Sequence, residues 1–184
     1  ENDEIVAEWH GHIRHELLAW KMLQIATFYN DALLVPEANT YIQDYNKTEG
    51  DHAQFILDTI GGLYRNMYTR KASPEKIREG RAREWGFFTS RSSKEMIIDH
   101  LKMLINKHGY TESEVEALAE YGVYQRDEKG AANAATGYND DRLMCRAIGL
   151  YVSSTMPIPR EVKDNSIDNR FRFGGGNWLK ESQF

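Results

Sequence analysis

The stretch Phe28-Tyr29-Asn30-Asp31-Ala32-Leu33-Leu34-Val35-Pro36-Glu37-Ala38-Asn39 constrains this chain most. It reads as the end of an amphipathic helix, a tight turn, and a short apolar run, Ala32 to Glu37, that needs burial yet stops on a carboxylate. Such a carboxylate must be solvated, paired or metal-bound. Far downstream, Tyr138-Asn139-Asp140-Asp141 opens a second amphipathic helix on two acids. Each feature alone has a plain structural explanation: an acid exposed at a strand end, and acids that cap a helix and complement its dipole. Together they suit a site of oxygen ligands for Mg²⁺ or Mn²⁺, which points to phosphodiester chemistry. The expectation is that Glu37 and Asp141 share one site, with Asp140 beside them.

The rest of the chain alternates between the two periodicities. Ile5–Ile13 has the β-branched and aromatic content of a strand. His15–Asn30 has helical spacing, with Leu18, Met22, Ile25 and Tyr29 on one side. Asn39–Gly50 is a polar connection, Asp51–Ile60 a helix ended by Gly61-Gly62, and Leu63–Thr69 a strand. Arg70–Glu84 is a charged excursion, and Trp85–Thr89 another short strand. Ser92 with Glu95 has the capping-box pattern, ahead of a helix with Ile97, Leu101, Leu104 and Ile105 on its apolar face. His108-Gly109 closes that helix. Thr111–Glu114 starts a short helix, Tyr121–Tyr124 is a strand, and Arg126–Gly130 a turn. The last helix runs from Asp140 to Ser154, with Leu143, Ala147, Leu150 and Tyr151 on one face. The composition then shifts, giving a domain over 1–156 and a tail over 157–184 with little regular structure. The predicted class is α/β, with helices packed on a mixed sheet.

At 184 residues the chain is one domain of ordinary size. No apolar run approaches the ~20 residues of a membrane helix. The acidic start, Glu1-Asn2-Asp3-Glu4, has no apolar signal core. The sole cysteine, Cys145, excludes an intramolecular disulfide and is expected to be a small buried hydrophobe. His10, His12 and His15 lack the partners of a zinc site. No phosphate-binding loop and no Gly-x-Ser-x-Gly nucleophile elbow occurs. A net charge of −5 argues against strong nonspecific binding to nucleic acid. Phosphate contacts would have to come from residues such as Arg91, Lys94 and Lys102, or from Arg78, Arg81 and Arg83 in the preceding loop.

The order of blocks resembles the nuclease domain of the large terminase subunits of tailed bacteriophages. The blocks are Val6-Ala7-Glu8-Trp9-His10-Gly11, then Tyr29-Asn30-Asp31-Ala32-Leu33 running into Glu37-Ala38-Asn39, then Trp85-Gly86-Phe87-Phe88-Thr89 with Lys94, and finally Gly137-Tyr138-Asn139-Asp140-Asp141-Arg142-Leu143-Met144. The resemblance implies a ribonuclease-H-like mixed sheet flanked by helices. It also implies a metal-dependent endonuclease that cuts double-stranded DNA during genome packaging in the cytoplasm of a bacterial host. By motif position Glu37, Asp141 and Asp140 become metal ligands and catalytic acids, while Lys94 and Arg91 become DNA contacts. The implied partners are the terminase ATPase domain, the small terminase subunit and the portal; no membrane is involved. Many members carry a histidine where this chain has Asn139, so no histidine role transfers. The sheet is expected to lack its first strands, with Ile5–Ile13 as an exposed edge that favours self-association and leaves the isolated chain a poor nuclease. A noncatalytic prophage remnant or docking module is the alternative reading, and another ribonuclease-H-like nuclease, such as a junction resolvase, a more distant one.

Overall fold

A computed structural model describes residues 3–38, 59–80, 82–126 and 132–156. The elements in order are β1 (Asp3–Glu4), α1 (His15–Phe28), a helical stretch α2 at 59–63, β2 (Thr69–Lys71), α3 (Pro74–Arg78) and β3 (Arg83–Trp85). They continue with α4 (Arg91–Asn106), β4 (Tyr110–Thr111), α5 (Val115–Val123), β5 (Tyr124–Arg126), β6 (Ala132–Ala134) and α6 (Asp141–Thr155). The described part is mixed α/β and about half helical. Its strands form three two-stranded sheets: β1 parallel to β4, and the antiparallel pairs β2–β3 and β5–β6.

The main core lies where α4 packs on α6. Ile97, Ile98 and Leu101 meet Leu143, Ala147, Ile148 and Leu150; Ile98 and Ile148 join the expected faces, whereas Ile105 is exposed. A second, smaller core joins Ala19, Leu23 and Ala26 of α1 to Ile60, Tyr64 and Met67. The run after α1 lies between the two. Leu33 and Val35 pack on the larger core and Leu34 on the smaller, the period-two alternation of extended chain. Two isolated parallel bridges hold this run, Leu34 to Met67 and Glu37 to Phe87.

Several expectations are corrected. No strand forms over Ile5–Ile13: only Asp3–Glu4 pair, and Val6 and Trp9 stay exposed. Glu8 instead ties this segment to α6, so the expected open edge, and the self-association argued from it, lose their basis. The buried face of α1 is Ala19, Leu23 and Ala26, whereas Ile25 and Tyr29 are exposed. Gly61 and Gly62 lie inside a helical stretch rather than ending one. Arg70–Glu84 is built structure: β2, α3 and β3, clamped by Glu84 between Arg70 and Lys76. Ser90, not Ser92, caps α4, and its box partner is Ser93 rather than Glu95. His108, not Gly109, takes the left-handed closing conformation, with φ 53°. Thr111 pairs with Glu4 in β4, so α5 starts later, at Val115, and runs through Tyr121 to Val123. Residues 39–58, 127–130 and the 157–184 tail, with the expectations placed on them, lie outside the described residues.

Candidate active site

Three loop ends converge on one open cleft of about 640 Å³. The first is the Leu33–Glu37 run. Leu33, Val35 and Glu37 share a parity, so the face that packs on the larger core ends with Glu37 pointing into the cleft. Gly86 fixes this run against its neighbour. The Phe87 amide donates to Pro36 O at 2.8 Å and the Ala38 amide to Phe87 O at 2.7 Å. Gly86 has φ +78°, and a Cβ there would lie 2.6 Å from Pro36 O. Only glycine lets the two backbones approach this closely.

The second end is the start of α4, which contributes Thr89, Ser90, Arg91 and Lys94. The third is the start of α6, which contributes Asp140 and Asp141. Asp140 occupies the N-cap position but makes no side-chain cap bond. Glu120 of α5 takes that role from outside: its Oε2 accepts from the Leu143 amide at 3.0 Å and its Oε1 from Arg142 at 3.2 Å. The Asp140 carboxylate turns instead to Lys94, whose Nζ lies 3.1 Å from Asp140 Oδ2 and 3.1 Å from Asn133 Oδ1. The same ammonium sits 5.6 Å from the centre of the Tyr124 ring. Burial, and then the Asp140 charge, push the Tyr124 phenol up to about 12, so it stays protonated beside the cleft.

Behind the cleft an ion network braces α6. Glu8 reaches both Arg142, at 2.7 Å, and Arg146. Arg146 is buried and also bonds Glu112, which accepts in addition from the hydroxyls of Tyr110 and Tyr121. Sequence reasoning missed this network. Glu8, Glu112, Glu120, Arg142 and Arg146 lie far apart in the chain, and no local pattern pairs them.

The structure thus brings Glu37, Asp140 and Asp141 to one cleft, with Lys94 and Arg91 on its rim. Lys94 faces inward to Asp140 rather than outward, and Arg91 lies 3.7 Å from Glu95. Cys145 is exposed on the cleft wall, which corrects the expectation of a buried residue. It falls on the outer stripe of α6, with Gly149 and Ser153. Crowding by protein atoms, with the Glu8 and Glu37 charges, pushes its thiol up. His10 and His12 are exposed, and among the described residues they belong to no group of three or more His, Cys, Asp or Glu that could hold a metal ion. Asp3 and Glu4 line a different cavity, of about 400 Å³, on the far side of Cys145.

The donor chemistry suits a hard divalent cation. Glu37 and Asp141 offer carboxylate oxygens, and among the described residues neither carboxylate makes a hydrogen bond or ion pair. Asp140 is already held by Lys94. Among the described residues no three His, Cys, Asp or Glu form a ready cage. An ion here would therefore draw on two carboxylates and water, the pattern Mg²⁺ tolerates. Among the described residues no helix is long and apolar enough to cross a membrane. No family model, no curated protein and no solved structure matches this chain.

Proposed function

We propose that this cleft hydrolyses phosphodiester bonds of double-stranded DNA with Mg²⁺ or Mn²⁺, in the manner of the ribonuclease-H-like nuclease domains of large terminase subunits. One observation carries the reading: Glu37 and the Asp140–Asp141 pair, remote in sequence, line the same open cleft. The delegated cap at Glu120 supports it, because it leaves both aspartates to face the cleft. Glu37 and Asp141 would hold the ion. When bound, it supplies Lewis-acid stabilisation of developing charge and a more acidic water. Lys94 holds Asp140 in place and keeps a fixed positive charge at the cleft, where a phosphate oxygen gains from it.

The test is Mn²⁺ titration by calorimetry, alongside nicking of supercoiled plasmid. Second-shell changes already weaken metal sites by about 10–100-fold, so Glu37→Ala or Asp141→Ala should weaken Mn²⁺ binding by at least that much. Both variants should abolish nicking. A chain that binds no Mn²⁺, or binds it equally well after both substitutions, overturns the reading. The engagement of Asp140 by Lys94 favours one alternative, a noncatalytic docking module. That alternative predicts a chain with no metal dependence in either assay.

A further inference from the structure

Charge is segregated along this chain. Residues 65–85 carry seven Lys and Arg against three Glu, a surplus of four, whereas the whole chain is −5 and the remainder therefore −9. The stretch from β2 to β3 holds six of these seven basic residues, three of them in the two strands of the β2–β3 hairpin, whose register contains an oddity. Lys71 stands directly opposite Arg83. Like charges directly opposed across strands destabilise a hairpin. The neighbouring pair, Arg70 opposite Glu84, shows the ordinary solution, and Lys76 joins Glu84 as well. Lys71 and Arg83 are exposed, and among the described residues they make no ion pair or hydrogen bond. An unrelieved like-charge pair in an acidic protein makes physical sense where an anion relieves it.

The hairpin is also wired to the cleft. Arg70 Nη1 donates to the carbonyls of Trp85 and Gly86, and the next residue, Phe87, is bridged to Glu37. Phe87 follows Arg83 by four positions, at most about 13 Å of extended chain. That is well within one turn of a DNA duplex, about 34 Å. We infer that the Lys71–Arg83 end of the β2–β3 hairpin grips the phosphate backbone of double-stranded DNA and presents it to the Glu37 cleft. The choice of duplex DNA rests on the function proposed above. The assignment moves the DNA grip from Lys94, which is turned inward, to the hairpin, and it locates positive charge that the net charge of −5 conceals.

The experiment is fluorescence anisotropy of a labelled DNA duplex with the full chain in EDTA, across a salt series. The doubly substituted Lys71→Gln, Arg83→Gln chain should bind on the order of tenfold more weakly at low salt. The slope of log K against log salt should shrink by about 1.8, since each lost phosphate contact removes ~0.9. Its thermal midpoint should equal or exceed that of the wild type, because a repulsion has been removed; a merely structural pair would lower it. An unchanged salt slope, or a lowered midpoint with unchanged DNA binding, overturns the assignment. So does a wild-type chain that ignores DNA but binds phosphatidylserine vesicles through these two residues. Glu37→Ala separates the two claims. Its loss of Mn²⁺ binding tests the nuclease reading, whereas the salt slope of the Lys71→Gln, Arg83→Gln chain tests the grip.

Discussion

Glu120 closes α6 with a carboxylate borrowed from α5, and its side chain is only 10% exposed. Glu120→Ala would leave the Leu143 amide buried without an acceptor, a loss of about 1–3 kcal/mol. Glu120→Gln keeps a carbonyl for that amide and should lose clearly less, as urea unfolding would measure. Glu112 governs the acid limit of stability. Burial alone would raise its carboxyl, but Arg146, and then the Tyr110 phenol, hold it down to about 2. An unfolded glutamate titrates near ~4.3. The ionised group therefore stabilises the fold fully above about pH 4.5, and that contribution is lost as the pH falls through about 2. Glu8 is also lowered: burial raises it, but Arg146 and Arg142 outweigh that, so it adds to the same limb. Unfolding free energy measured against pH should fall along this limb in the wild type and less steeply in Glu112→Gln.

At the scale of elements, Gly86 sets the spacing between the Glu37 run and the strand that leads into α4. Gly86→Ala forces both a left-handed alanine, about 1–2 kcal/mol, and a clash with Pro36 O. Gly80→Ala, with φ +88° and open space, incurs the strain alone. The difference between the two variants in urea unfolding should be positive, and only Gly86→Ala should weaken Mn²⁺ binding. The elements legible in the sequence were those whose period matched their burial. α4 and α6 were read nearly to their ends, because Ile97 and Leu101, and Leu143, Ala147 and Leu150, are buried at helical spacing. The acids of the cleft were legible as well, since Glu37 ends a partly buried apolar run and Asp140–Asp141 begin a patterned helix. The Ile5–Ile13 strand failed because strand-like composition does not supply a pairing partner, and ion pairs through Glu8 hold that segment instead. The face of α1 was misread because Leu17, Trp20, Ile25 and Phe28 make it apolar all round, and periodicity then selects no side. The cap of α4 was misplaced by two residues because Ser-x-x-Glu and Ser-x-x-Ser start side by side at Ser92 and Ser90. No local pattern reveals that Lys94 would meet Asp140 or that Glu120 would cap α6, since both depend on how distant elements pack.

For the whole molecule, two cores of unequal size imply unequal protection. α1 exposes Leu17, Trp20 and Phe28, while α6 buries seven residues along its length. Amides of α6 should be the slowest to exchange with deuterium, and those of α1 faster by on the order of tenfold or more. Equal protection in both would mean that the two cores unfold as one unit. The run from Leu33 to Glu37 feeds both cores by alternate residues. A slip of one position would turn Leu34 towards the cleft and drive the Glu37 charge against apolar side chains. Folding therefore proofreads the site: the arrangement that fills both cores is also the one that delivers the acid to the cleft, and a chain mispaired here is rejected for its packing before its chemistry is ever tried.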